Sequence, residues 1–240
     1  MAVAVFSDVH GNREAFEAVL AFCRRQAVTR YCFVGDIVGY GADPGPCIVM
    51  LRNLSSSCVV GNHDVAALDI AEAEDFNPAA WQAIEWTAGQ LTIDDRRFLE
   101  KLPMVHTEAF TLVHGSPERP GEFGYILSPY EAMKAFLALA GDLCFVGHSH
   151  RSGILVEEKD AIRFDGSAFL KLDPERRYIV NVGSVGQPRD GDPRACVCLF
   201  DETERTVALH RVAYDVQRAA EKIYSAGLPA VLAERLFEGR

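Results

Sequence analysis

Five short hydrophobic runs, each stopping at a polar tip, organise the first two thirds of the chain. They are Ala2–Ser7, Tyr31–Val34, Cys58–Val60, Phe110–Val113 and Leu143–Val146. Continuous apolar runs of this length read as strands buried on both faces, the kind found in covered α/β sheets. Between the first three the period changes to that of a helix. Asn12 can cap a helix running to about Gln26, with Ala15, Val19, Leu20 and Phe22 on its apolar face. Strand two runs from Arg30 to Val34, Asp43-Pro44 opens a helix over Pro46–Leu54, and strand three is Ser57–Val60. This β-α-β-α-β order predicts a parallel, doubly wound sheet.

From Val65 to about Leu102 the pattern is helical: Val65–Ala71, Pro78–Leu91, and Ile93–Leu102 capped by Thr92. It reads as a helical insertion over the sheet, with Trp81 and Trp86 as packing residues. Met104–His106 and Ala109–Val113 follow as strands around a Thr107-Glu108 turn. A Pro/Gly-rich loop, Gly115–Tyr125, precedes a helix over Tyr130–Ala140. After His150 the period shifts to two. Ile154–Val156, Ala161–Phe164, Ala168–Leu170, Tyr178–Val182, Ala195–Phe200 and Thr206–Arg211 are predicted to form a separate antiparallel sheet. Asp215–Arg240 is helical with a break at Gly227-Leu228-Pro229. With no repeat and no linker, residues 1–240 read as a single domain.

Charge narrows the partners. The chain has 34 acidic and 24 basic residues, a net charge of −10. A nucleic-acid polymer is a poor partner for such a surface, because neutralising its backbone needs clustered Lys and Arg. A small phosphorylated substrate is not excluded, since bound cations reverse the local sign. Seven cysteines without a C-x-x-C, most inside apolar runs, read as free thiols in a reducing compartment. The opening strand has no basic stretch before it and stops at Asp8, so it is no signal peptide. No apolar run reaches the roughly 20 residues of a membrane helix. The expectation is a cytoplasmic protein without a membrane partner; a homo-oligomer stays open.

The tips carry the chemistry. They read Asp8-Val9-His10, Gly35-Asp36, Gly61-Asn62-His63-Asp64, His114-Gly115 and Gly147-His148-Ser149-His150, and hold five of the seven histidines. His106 and His210 lie outside the pattern and read as structural. In open α/β sheets, ligands bind at the C-terminal strand ends. Asp8 and His10, two apart, can point into one crevice, and His148 and His150 repeat that spacing. Asp36 has two oxygens and can bridge two cations. Asn62 offers a carbonyl oxygen and His114 an imidazole nitrogen. Mixed N/O ligation of this kind suits divalent Mn or Fe first, and also Zn, Ni or Co, better than Ca or a thiolate site. The expectation is one site for two divalent metal ions. Between such metals, roughly 3.5–4 Å apart, a water loses its proton near neutral pH and becomes a nucleophile toward phosphorus. Gly11, Gly35, Gly61, Gly115 and Gly147 beside the ligands allow close backbone approach.

The ordered set Asp-x-His, Gly-Asp, Gly-Asn-His-Asp, His-Gly and Gly-His-x-His resembles the calcineurin-like metallophosphoesterases, and their small prokaryotic phosphatase and phosphodiesterase branch in particular. The resemblance spans Val5 to about Asp192. It implies a four-layer α/β/β/α sandwich with two mixed sheets. It also implies that Asp8, His10, Asp36 and His150 hold one metal, and Asp36, Asn62, His114 and His148 the other. His63 would contact the phosphate and act as general acid. The protein-phosphatase branch has Gly-Asp-x-x-Asp-Arg-Gly where this chain has Gly35-Asp36-Ile37-Val38-Gly39-Tyr40-Gly41. Both phosphate-clamping arginines and the Asp partner of the catalytic His are absent, so a phosphoprotein is a doubtful substrate. Asp64 reads as a loop-orienting residue. A loop over Asn181–Asp192 resembles one in the small branch, whose members include hydrolases of dinucleoside polyphosphates; its backbone N–H groups could form an anion nest or a structural turn.

The resemblance therefore implies a metal-dependent phosphoric ester hydrolase. A metal-bridging hydroxide would attack a phosphate ester or anhydride of a small substrate: a nucleotide, a dinucleoside polyphosphate or a phosphomonoester. Arg189, Ser184, Arg119 and Tyr40 are the candidates for substrate contact, and Tyr125 for stacking. Two other classes stand beside it: a non-catalytic scaffold on the same fold, like the retromer subunit, and a protein phosphatase. Scaffold relatives tend to lose ligands or the catalytic His, whereas all seven ligand positions and His63 are present here.

Overall fold

The computed structural model of the chain describes residues 2–54, 56–159 and 161–240. Strand β1 (Ala2–Phe6) leads into helix α1 (Arg13–Arg25), capped by Asn12, whose Oδ1 accepts from Ala15 N at 3.1 Å. Strand β2 (Arg30–Val34), α2 (Pro44–Arg52) with Pro44 in its first turn, and β3 (Ser56–Val59) follow. Helix α3 (Asn62–Leu68) begins three residues before the predicted Val65. Its apolar periodicity does start there, but its polar first turn is helical too, which places Asn62 and His63 on a helix rather than on a loop. A short 3₁₀ turn over Ile70–Ala73 ends that segment. Helix α4 (Pro78–Gln90) and α5 (Ile93–Leu99) come next; Thr92 and Asp95 form a reciprocal cap on α5.

Strands β4 (Val105–Thr107) and β5 (Thr111–Val113), helix α6 (Pro129–Ala138) and β6 (Leu143–Val146) complete the part anticipated from periodicity. The remaining strands are β7 (Gly153–Glu157), β8 (Ile162–Asp165), β9 (Phe169–Lys171), β10 (Arg177–Asn181), β11 (Ala195–Asp201) and β12 (Thr206–Val212). Helices α7 (Val216–Ser225) and α8 (Ala230–Glu238) close the chain around Gly227. Among the described residues no helix is long and apolar enough to cross a membrane.

The strands form two six-stranded mixed sheets, ordered β3-β2-β1-β11-β12-β9 and β4-β5-β6-β10-β7-β8. This corrects the expectation of a separate antiparallel sheet after His150. β9, β11 and β12 extend the first sheet, with β11 antiparallel to β1, while β10 runs parallel to β6 and joins the second. Period-two patterning identifies a strand but not its partner.

The layers follow from the two faces of each strand. On β1, Val3 and Val5 face the second sheet and pack with Phe110, Phe145, Val180 and Phe200. Ala4 and Phe6 face the other way, into a core shared with Phe16, Val19 and Ile48 of α1 and α2. The predicted insertion joins that same core through Ala66, Ile84 and Leu99. On the far side Val113, Cys144 and Ile179 pack under Ala135 and Phe136 of α6. The result is the four-layer α/β/β/α sandwich with a helical cover. The seven cysteines are free, and burial pushes the Cys23 and Cys32 thiols up to about 12. A fourth apolar cluster joins α7 and α8 to Ala80, Ala83 and Tyr40, so the chain's last two helices stand beside the strand ends.

Candidate metal centre

Each of β1, β2, β3, β5, β6 and β10 ends at the same edge of the two sheets, and the residue tips follow them there. The turns that aim the side chains are backbone outliers. Asp8, His10, Asp36, Tyr40, His148 and His150 all have φ between 50° and 63°. That left-handed region costs a non-glycine residue about 1–2 kcal/mol. The outliers are held by long-range bonds. Asp8 N donates to Gly35 O at 2.9 Å and His10 N to Asp36 O at 3.1 Å. Asp64 accepts from four backbone N–H groups, those of Asp36, Ile37, Val38 and Gly61, at 2.9–3.2 Å. Its carboxylate thus shapes the Asp36 loop, the orienting role read from the sequence.

The cluster is almost dry. Asp8, His10, Asp36, His114 and His150 are each no more than 2% exposed. The Nδ1 atoms of His10, His114 and His150 face the carbonyl oxygens of Val38, Val34 and Gln187 at 2.9, 2.7 and 2.6 Å. A carbonyl only accepts, so each Nδ1 carries its proton, and in the neutral imidazole each Nε2 turns its lone pair inward. Those lone pairs meet other acceptors. His10 Nε2 is 3.1 Å from His150 Nε2, and Asp8 Oδ1 is 3.2 Å from His150 Nε2. His114 Nε2 is 3.2 Å from Asp36 Oδ2 and 3.1 Å from Asn62 Oδ1. Asp8 Oδ1, Asp36 Oδ2 and His148 Nε2 are buried with no hydrogen-bond partner.

A buried crevice where carboxylate oxygens and imidazole nitrogens converge, some without a donor, could hold a cation, because an uncompensated buried carboxylate costs several kcal/mol. The residue types and their spacing therefore fit a divalent pair. Asp8, His10 and His150 form one group of converging ligand atoms, and Asp36, His114 and His148 another; Asp36 also groups with His10 and His63. Without a cation, protonation partly substitutes for one. Burial pushes the His114 imidazolium down, but the Asp36 carboxylate overrides it and holds His114 up to about 9. Burial lowers His148 to about 3 and His150 to about 4, leaving both neutral, the form in which an imidazole can ligate.

His63 stands at the edge of the cluster, 5% exposed. Its ring packs 4.8 Å from that of His10, 4.5 Å from that of Tyr40 and 4.6 Å from that of Phe76. Its backbone N–H donates to Asp36 Oδ1 at 2.8 Å, and its Nδ1 has no hydrogen-bond partner. Burial pushes its pKa well below the usual imidazole range.

The candidates for substrate contact divide. Tyr40 is 6% exposed and packs between His10 and His63, with the Arg189 guanidinium 5.4 Å over its ring. Ser184 is fully buried; its hydroxyl donates to Asp8 O at 2.8 Å and accepts from Gln187 N. The neighbouring N–H groups of Val185 and Gly186 are bound to Ser7 O and Asp8 O, so this loop is a turn that braces β1 and not an anion nest. Arg119 is exposed and paired with Glu122 at 2.7 Å. Tyr125 stacks on His148, ring centroids 4.0 Å apart. His106 pairs with Glu108, and His210 lies against Phe22, both outside the cluster. Two cavities flank the centre. One, about 300 Å³, lies between Ile126, Leu155 and Phe164 and reaches Ser149. The other, about 390 Å³, is lined by Arg189, Asn77 and, from the tail, Arg235. Sequence reading missed Arg235, because a charged position on an amphipathic tail helix carries no sign of what it faces.

A family model for a calcineurin-like phosphoesterase superfamily domain matches residues 1–205. An uncharacterized protein of Methanocaldococcus jannaschii is 38% identical over 243 residues, covering 99% of this chain and 98% of its own. A metallophosphoesterase from Sphaerobacter thermophilus is 38% identical and superimposes with a TM-score of 0.85 over 100% of this chain and 99% of its own. A hypothetical protein from Pyrococcus horikoshii OT3 shares the fold at 19% identity, with a TM-score of 0.79 over 100% and 98%. With its ligand-rich strand ends and this match along most of its length, the chain belongs to the calcineurin-like phosphoesterase superfamily.

Proposed function

We propose that the protein is a two-metal hydrolase of phosphate esters or anhydrides acting on a small phosphorylated substrate. The observation that carries this is the convergence of inward ligand atoms, with Asp8 Oδ1, Asp36 Oδ2 and His148 Nε2 unpartnered in a buried crevice. Asp8, His10, Asp36 and His150 would hold one cation and Asp36, Asn62, His114 and His148 the second, with Mn or Fe the first choices for this donor set. Such a pair, when bound, neutralises phosphoryl charge and acidifies water near neutral pH. The protein's own part is to place the rest. The Asp36 carboxylate is held from one side by His63 N, which fixes the imidazole relative to the shared ligand. From there the His63 side chain would reach a phosphoryl oxygen, whose negative charge favours the imidazolium that burial alone disfavours, and could then deliver a proton to the leaving oxygen. Burial of the walls by Tyr40 and Phe76 keeps bulk water from that proton. A flanking cleft of a few hundred Å³ suits a small molecule, and the net charge of −10 disfavours a nucleic-acid polymer.

The test is turnover of p-nitrophenyl phosphate and bis(p-nitrophenyl) phosphate by protein reconstituted with Mn, Fe, Zn, Ni or Co. His63→Ala should lower kcat by roughly 10²–10⁴-fold with metal content unchanged. Undiminished turnover in that variant rejects the acid role, and inactivity of the native protein with every metal rejects the hydrolase.

A further inference from the structure

Two arginines at the rim of the metal centre have no acidic partner. Several other half-buried arginines of this acidic chain do have acidic partners: Arg30 pairs with Glu108 and Glu202, Arg177 with Glu157, and Arg211 with Asp190. Arg189 instead gives Nε and Nη2 to the neutral Gln187 Oε1, at 3.3 and 2.9 Å. Arg235, half-buried on α8, makes no side-chain hydrogen bond or ion pair among the described residues. Both line the cavity of about 390 Å³. Glu234 and Glu238 also line it, but Glu238 is bound to Arg240 at 3.2 Å.

The cavity adjoins the metal centre through single contacts. Arg189 N donates to His150 O at 3.0 Å, and its guanidinium lies over Tyr40, whose ring touches those of His10 and His63. Half-buried guanidinium groups without a counter-ion are incomplete, and their planar forks match phosphate oxygens. An anion bound between them would sit beside the reacting phosphoryl group and separate from it. The arginines that clamp phosphate in the protein-phosphatase branch are absent from the segment after Asp36. Here the cations come from the loop after β10 and from the tail hairpin beyond residue 205, where the family match ends.

We propose that Arg189 and Arg235 form a second phosphoryl-binding subsite, so that the substrate carries at least two phosphoryl groups: one on the metal centre, the other in the arginine cleft. This rests on the phosphoesterase reading above and narrows it to a phosphoanhydride or a bisphosphate. No bond changes in the subsite; it binds and orients.

The experiment uses probes that are not hydrolysed. Calorimetric titration of the Mn-loaded protein compares methylenediphosphonate with methylphosphonate, with metal content assayed after each titration. The native protein should bind the diphosphonate at least tenfold more tightly, and Arg235→Gln should reduce that preference to about twofold. Arg24→Gln, which removes the same charge at the opposite end of α1, should keep the full preference. Equal affinity of the native protein for the two probes, or an undiminished preference in Arg235→Gln, overturns the subsite. Failure of the hydrolase itself appears elsewhere, as absence of turnover, and leaves these affinities readable.

Discussion

At the scale of single residues the centre is a set of strained turns held by hydrogen bonds. Six residues at one edge adopt left-handed backbone, where a non-glycine residue is disfavoured, and five of them, Asp8, His10, Asp36, His148 and His150, bring ligand atoms into the same crevice. The glycines between them leave room. A Cβ on Gly147 would come within 2.5 Å of Asp8 Oδ2, and one on Gly61 would overlap Asp36 Oδ1. We therefore predict that Gly61→Ala costs about 2–3 kcal/mol in denaturant unfolding, the upper range for overpacking a close-packed site. It should also displace Asp36 and lower bound metal in elemental analysis. A variant with native stability and full metal content would show that the Asp36 loop is more plastic than its three bonds to Asp64 imply. Residue types and two-residue spacings at the tips were legible in the sequence. The left-handed backbone was not, because Asp and His adopt it only when surrounding packing compels it.

At the scale of elements the boundary errors are instructive. α3 starts at Asn62, since Asp64 at its third position reaches back to Gly61 N and closes the first turn. Apolar periodicity does not report a turn whose outward face is a site. A second device is Arg177 of β10. It donates to Glu157 on β7 and to the carbonyls of Phe136 and Leu139 at the end of α6, so one side chain ties a helix to two strands. The Arg177 hydrogen bonds hold the Glu157 carboxyl below the usual glutamate range. A depressed folded pKa means stability that is present above the unfolded value, about 4.3, and lost as pH falls through the folded one. The pair is about a third exposed, so solvent screening limits the effect to about 1 kcal/mol. Urea midpoints for Glu157→Gln should thus fall below the native ones at pH 7 and converge with them toward pH 3. A gap that stays constant with pH would mean that the charge of Glu157 contributes nothing.

At the scale of the whole molecule the centre is a clasp between the two sheets. Asp8, His10, Asp36 and Asn62 follow strands of the first sheet, and His114, His148 and His150 follow strands of the second. Cations gripped by both would resist separation of the sheets as well as support chemistry. A ligand at about 100 times its Kd adds roughly 2.7 kcal/mol to the folded state. For a chain of this size that is about 5–10 °C in Tm. EDTA should lower the Tm of metal-loaded protein by about that amount and leave Asp36→Asn, which lacks the shared ligand, unmoved. Equal shifts in both proteins would place the stabilising metal elsewhere.

The sequence by itself determined the family resemblance and the kinds of element. Short-range periodicity marks strands and helices, and residue identity marks which tips can hold a cation. Only the tertiary structure decided how the late strands divide between the sheets. It also decided that Asp8 and His150, 142 positions apart in number, meet at 3.2 Å, and that Arg235 from the tail faces the cleft beside Tyr40. Local patterns encode what a segment prefers. Pairing across such separations is settled by the packing of all four layers at once, and no window along the chain contains it.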